Sequence, residues 1–463
     1  MRRSPIRIGL LPLFFVFTLA GACGDDTTAD PDATDAGTDV VEDTAEGDAD
    51  ITSDADPSDV ADDAVDDTAD DAVGEDAGGD VAPDADPPNL RPNVQADMPP
   101  NAEGQTPESP DQTRAPQPEE AAAFSATVRA DGLEIPWGIA PLPDGRLLVT
   151  ERIGRLRVVA VDGTVGEPVE GLPDLVQDGQ GGLLDVAISP DFATDATVFI
   201  TYSEARENDR LAVAVARGTL SDDGRRLEDV GVIYQQEPSW PGGRHFGSRL
   251  VFDRDGALFV TFGDRGSALD DAQSPFNAIG AVIRIWPDGT IPDDNPFADG
   301  VDGAPEVWSW GHRNIQSATL GLDGALWTVE HGAQGGDELN RPEPGANHGW
   351  PLITYGENYD GTPIRGGVTA QEGLAQPVYY WDPVIAPSGM ATYTGDLFDG
   401  WQGDLLIGGL QSTSVVRLSL REGRVYTEEW LPMGVRVRSV AVARDGAILV
   451  GTDAGQIVEL RPE

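Results

Sequence analysis

The chain has 463 residues, and 81 acidic against 30 basic side chains give it a net charge of −51 at pH 7. Such a polyanion is repelled by phosphate backbones, which argues against nucleic acid as a partner. Its one cysteine, Cys23, excludes an internal disulfide, so any folded part must be held by a core of its own.

Residues 1–22 begin with Arg2, Arg3 and Arg7, pass through L-L-P-L-F-F-V-F-T-L-A, and reach small residues before Cys23. This is the order of a secretory signal peptide, too short for a membrane span. The stretch L-A-G-A-C resembles a bacterial lipobox, with Ala20 where leucine is commonest. Cys23 is then the expected lipidation site, and the expected location is exported and membrane-anchored, periplasmic or at the cell surface. An ordinary signal peptide with an incidental cysteine is the alternative. From residue 23 to 124 the chain is mostly Asp, Ala, Thr, Gly, Pro and Glu, with 31 acidic residues against only Arg91 and Arg114. Too little apolar surface is available to offset chain entropy, and the charges repel, which predicts a disordered acidic tether.

Residues 125–463 are different. One phrase recurs, a turn with Asp-Gly or a similar pair followed by an apolar run: P-D-G-R-L-L-V-T-E (143–151), T-D-A-T-V-F-I-T-Y (194–202), R-D-G-A-L-F-V-T-F (254–262), L-D-G-A-L-W-T-V-E (322–330), W-Q-G-D-L-L-I-G-G (401–409) and R-D-G-A-I-L-V-G-T (444–452). Asp-Gly supplies the positive φ of a tight hairpin, and the run reads as a strand covered on both faces. Amphipathic helical periodicity is nearly absent. A period of about 40 to 80 residues fits one four-stranded antiparallel sheet per repeat. The expected fold is all-β, a six-bladed β-propeller whose first and last repeats share a blade.

The unusual residues fall in loops between these strands: D-G-Q-G-G-L-L-D (178–185), G-R-H-F-G-S-R (243–249), W-S-W-G-H-R-N-I-Q (308–316), and V-E-H-G-A-Q-G-G-D-E-L-N running on to N-H-G-W-P (329–351). Together with G-D-R-G (263–266), D-D-N-P-F (293–297), A-P-S-G-M (386–390) and R-V-R-S (436–439), in that order, the chain resembles the glucose/sorbosone dehydrogenase family, and within it the soluble aldose sugar dehydrogenases that use pyrroloquinoline quinone. The likeness covers 130–460 and none of the tether.

The resemblance implies oxidation of an aldose at its anomeric carbon to a lactone. His245 matches the base that takes the hydroxyl proton, a task suited to imidazole near neutral pH. Arg313 matches the cation beside the quinone oxygen, and Asn314 and Gln180 match further contacts to the cofactor. Arg436 and Arg438, two apart on a strand, match a clamp for its carboxylates, since guanidinium forks bind carboxylates bidentately. Ca²⁺ is expected on the backbone carbonyls of Gly332 and Ala333, with Asp337 and Glu338 as nearby carboxylates for a second or adjacent position. With no C-x-x-C-H for haem, electrons are expected to leave to an external acceptor.

The chain also departs from the family. Gln411 stands in place of a lysine, Ala278 and Ala281 in place of a histidine and a lysine, and Ala333 in place of a proline. The chain contains no lysine at all. Arg244, beside His245, is expected to favour the neutral imidazole. Two rival readings are a Ca²⁺-dependent lactonase and a non-catalytic propeller that binds glycans or a protein partner.

Overall fold

The structure is a computed structural model that describes residues 90–463. The signal peptide, Cys23 and the tether up to residue 89 lie outside the described residues.

The described chain forms six sheets of four or five strands. The first strands of the six blades are Pro136–Pro141, Leu183–Ile188, Gly247–Phe252, Ile315–Leu320, Pro387–Thr392 and Val437–Val442, and each touches the first strand of the next in a closed ring. Helix among the described residues amounts to one turn, Phe192–Asp195, and two 3-10 turns.

The recurring phrase is the hairpin from first to second strand in each blade. Second strands such as Leu147–Glu151, Leu258–Phe262, Leu326–Glu330, Leu405–Gly409 and Ile448–Thr452 are buried at every position. That explains why they are apolar without alternation, since neighbouring blades cover both faces. Ring closure is made by Phe124–Ala130, which joins the sixth blade as its outermost strand against Ile457–Pro462.

Because strands alternate in direction, the Asp-Gly hairpins lie at one end of the ring. The loops after the second strands, and the connections between blades, lie at the other. At that second end all six first strands begin with a register shift, and bulges re-aim the residues beside them. Hydroxyls stitch each blade to the next there. Thr150 Oγ1 donates to Leu184 O, Thr201 Oγ1 to Ser248 O, Thr261 Oγ1 to Ile315 O, Ser388 Oγ to Val437 O and Ser439 Oγ to Pro136 O, while Ser317 Oγ accepts from Met390 N.

Below this end lies a buried ion pair. Arg249 Nη1 lies 3.0 Å from Asp185 Oδ1, and its guanidinium stacks 3.8 Å from the Trp137 ring. A cavity of about 230 Å³ lined by the first strands lies beside it.

One boundary differs from the sequence expectation. The tether was expected to run to residue 124, yet residues 90–123 form an arm packed on the fourth and fifth blades. Asn93, Gln95, Ala102, Gln112 and Ala115 are buried there. Tyr380 N donates to Gln112 O at 2.8 Å and Glu428 N to Pro116 O at 3.0 Å, so the arm covers the outer edges of both sheets. Its grip comes from polar side chains bonded to backbone, a signal that hydrophobic patterning cannot carry.

Candidate active site

His245 sits just before the first strand of the third blade with φ of +47°, a left-handed conformation that costs a non-glycine residue about 1 kcal/mol or more. Two contacts hold it there. Its amide donates to Gln180 Oε1 at 2.9 Å, and Gly263 faces its carbonyl so closely that a Cβ at 263 would lie 2.4 Å from that oxygen. The imidazole Nδ1 is 2.6 Å from Asp264 Oδ1. Asp264 is itself buried and fixed, accepting from Gly266 N at 2.8 Å and from Trp350 Nε1 at 2.8 Å. The pairing directs the Nδ1 proton to Asp264 and leaves Nε2 as the basic atom. Burial lowers the imidazole's pKa below its ordinary value; Asp264 opposes this, and Arg313 and Arg265 add to it.

Arg313 and Asn314 open the fourth blade, where Glu330 sets the loop. Glu330 Oε2 accepts from Arg313 N at 2.6 Å, and Oε1 pairs with His312 Nδ1 at 2.9 Å and accepts from Asn340 Nδ2 at 2.8 Å. His312 therefore orients the loop. The Arg313 guanidinium donates to His331 O and Gly332 O, lies 5.3 Å from the Trp350 ring, and keeps a buried Nε without a partner. Asn314 is buried against Gly263.

On the far side of the mouth Arg436 and Arg438 do point the same way, onto one carboxylate. Asp453 Oδ2 accepts from Arg436 Nε at 2.7 Å, and Asp453 Oδ1 from Arg438 Nε at 2.9 Å. A third cation, Arg152, stands in their field, held partly out of water with its Nε buried and unpartnered. Three guanidiniums against one carboxylate leave a net positive patch in a strongly acidic protein. Gln411 is exposed at the neighbouring turn, with its amide on Ile385 O at 3.0 Å.

Between the two halves runs the turn His331–Gly336. Asp337 anchors it, accepting from Gly332 N at 3.0 Å, Ile385 N at 2.9 Å and Ala386 N at 2.7 Å. Both its oxygens are thus taken up by backbone amides, and burial pushes its pKa up to about 7. Asp337 thereby holds the turn in shape. Glu338 differs, since it faces a small cavity shared with Arg313, Gly332, His348 and Trp350, where His348 Nε2 is buried without a partner. His331 is fixed by Nε2 on Pro387 O at 2.6 Å.

The structure thus gathers the sequence-predicted His245, Gln180, Arg313, Asn314, Gly332, Ala333, Arg436 and Arg438 on loops at one end of the ring. It adds Asp264, Glu330, Trp350, Arg152 and Asp453. Asp264, Glu330 and Trp350 lie in the quoted G-D-R-G, V-E-H-G and N-H-G-W-P, but their roles needed the fold, as did those of Arg152 and Asp453.

Fold and site together define a six-bladed propeller whose mouth carries a histidine–carboxylate pair opposite a cluster of arginines. The sequence profile of the glucose/sorbosone dehydrogenase family matches residues 133–459, and the chain belongs to that family. It is 39% identical over 354 residues to the aldose sugar dehydrogenase YliI of Escherichia coli, spanning 74% of this chain and 94% of that one. The crystal structure of the apo-form of the soluble Escherichia coli aldose sugar dehydrogenase aligns with a TM-score of 0.71 over 73% of this chain and 100% of that one, at 39% identity. The PQQ-bound form of aldose sugar dehydrogenase from Streptomyces coelicolor aligns with a TM-score of 0.60 at 29% identity, over 74% and 99%.

Proposed function

We propose that the protein oxidises aldose sugars at the anomeric carbon to lactones, using pyrroloquinoline quinone and Ca²⁺. The observation that carries the reading is the His245–Asp264 pair at a mouth whose far side sets Arg152, Arg436 and Arg438 against the single carboxylate of Asp453. The relatives' names, a PQQ-bound aldose sugar dehydrogenase among them, support it.

The donor set fits the cofactor. A tricarboxylate needs cations that are not already spent, and Arg152 and Arg313 each keep a buried Nε without a partner while Arg436 and Arg438 share a single acid. Ca²⁺ would take the carbonyl oxygens of Ala333 and Gly332, the latter in exchange for the Arg313 guanidinium that it accepts from here, with Glu338 as the nearby carboxylate. When bound, pyrroloquinoline quinone supplies the acceptor for the hydride that leaves the anomeric carbon.

The protein's own part is acid–base and electrostatic. His245 Nε2 takes the anomeric hydroxyl proton, and burial keeps the ring neutral and therefore competent. Asp264 holds the ring in the right tautomer and stabilises the imidazolium that forms. Arg313 places fixed positive charge where negative charge develops. Gln180 and Gly263 keep the histidine in its strained position. The signal peptide and Cys23 support a lipid-anchored, exported enzyme, periplasmic or at the cell surface, that passes electrons to an external acceptor.

The test is reconstitution. Purified protein given pyrroloquinoline quinone and Ca²⁺ is expected to reduce a dye with an aldose panel, and His245→Ala to lower the rate about 10²-fold or more. Dye reduction that needs no quinone, or that survives loss of His245, contradicts the assignment.

A further inference from the structure

The arm that precedes the propeller passes, at Asn101–Ala102, beside the turn that the proposed cation would use. Asp382, after the last strand of the fourth blade, accepts two consecutive arm amides, Asn101 N at 2.5 Å and Ala102 N at 3.2 Å. The contact is reciprocal, since Val384 N donates to Asn101 Oδ1 at 2.9 Å and Gln95 Nε2 to Pro383 O at 2.8 Å. Arg114 adds a bond from Nη2 to Asp382 O at 2.8 Å.

Ala102 is 1% exposed. Its methyl and the Asp382 carboxylate together wall the outer side of Gly335, where a Cβ would meet them at 3.2 and 3.0 Å. Gly335 has φ of +82° and leads into Gly336, whose amide donates to Trp381 O at 3.1 Å. Gln334 is held by Glu357, with mutual backbone bonds of 2.9 Å and Nε2 on Glu357 Oε1 at 2.8 Å. The inner side of the turn is pinned by Asp337. Without the arm, only the Asp382 carboxylate, freed of its two amide donors, would cover the outer side at Gly335.

We propose that the arm is a positioning element of the His331–Gly336 turn: the Asn101–Ala102 amides, locked on Asp382, hold the turn so that the carbonyls of Gly332 and Ala333 stay set for a divalent cation. The inference rests on the cation reading above, and it makes Ala102 and Asp382 positioning residues more than 200 positions apart in sequence. Releasing the arm should loosen the turn first and the propeller hardly at all.

The test uses the full-length protein with Asp382→Ala, Asp382→Asn and Ala102→Gly. Two quantities are read: amide hydrogen exchange over 332–336, with the second-blade strand Arg210–Leu220 as the standard for global opening, and Ca²⁺ affinity by calorimetry. Asp382→Ala is expected to speed exchange in the turn and weaken Ca²⁺ about tenfold, the lower end of what outer-shell partners of a metal site contribute. Asp382→Asn, which keeps one acceptor oxygen, should fall between, and Ala102→Gly should give a smaller change of the same kind. Exchange and affinity unmoved in folded variants would overturn the proposal, as would acceleration spread equally over Arg210–Leu220. If Asp382→Ala does not fold, Ala102→Gly decides. If the parent protein takes up neither Ca²⁺ nor the quinone, the functional reading fails, and local exchange alone decides the role of the arm.

Discussion

At the scale of single residues the site turns on keeping one imidazole neutral and correctly turned. Burial, Arg313 and Arg265 lower the pKa of His245 while Asp264 raises it, and the first group wins. Only the neutral ring is a base, so kcat/KM should rise with pH through a limb centred below the ordinary histidine value of about 6.5. Asp264→Asn removes the partner that raises the pKa, so the limb should shift further to acid while the maximal rate falls about 10²-fold or more through loss of the tautomer. A limb that moves to higher pH in that variant contradicts the assigned roles. His245 was reached in the sequence through the resemblance of its loop, since the other three histidines also stand beside glycines. Asp264 was quoted in a motif, but an Asp beside Arg265 gives no sign that it faces a histidine 19 positions earlier. Arg152 was hidden for the opposite reason: an arginine at the end of a strand reads as solvated until the fold puts it beside Arg438.

At the scale of elements, the repeats were readable because the second strand of each blade is covered on both faces and so loses its alternation. The bulge that opens each first strand was not readable, since it depends on how the next blade meets it. Gly263 shows what that placement demands. In Gly263→Ala the new methyl would press on the His245 carbonyl, and the strain of overpacking, about 1–3 kcal/mol, should fall on the histidine loop. We expect a modest fall in the unfolding midpoint with a large fall in kcat; full activity would show that the loop accommodates the methyl. Asp337→Ala should do more damage to stability, because three amides, two of them buried, lose their acceptor, at about 1–3 kcal/mol for each buried one. Thermal unfolding checks it, and an unchanged midpoint contradicts the anchoring role. The arm escaped the sequence reading altogether, as acidic, proline-rich composition masks the few glutamines and asparagines that dock it.

At the scale of the whole molecule, charge and ring closure act together. Residues 125–463 carry 50 acidic against 25 basic side chains, so compactness is opposed by self-repulsion. Monovalent salt raised from about 10 mM to about 200 mM shortens the screening length from roughly 30 Å to below 10 Å and should raise the unfolding midpoint; a midpoint that falls instead would show that attractive ion pairs dominate. The same charge sets off the arginine cluster at the mouth, because a polyanionic fold that gathers three guanidiniums around one carboxylate has a use for them. The most direct measurement is calorimetric titration of pyrroloquinoline quinone into Ca²⁺-loaded full-length protein, alongside Arg438→Ala. Saturable uptake of one quinone per chain is expected, weakened about tenfold or more by the substitution. No uptake by the folded protein, or uptake indifferent to Arg438, would contradict the assignment.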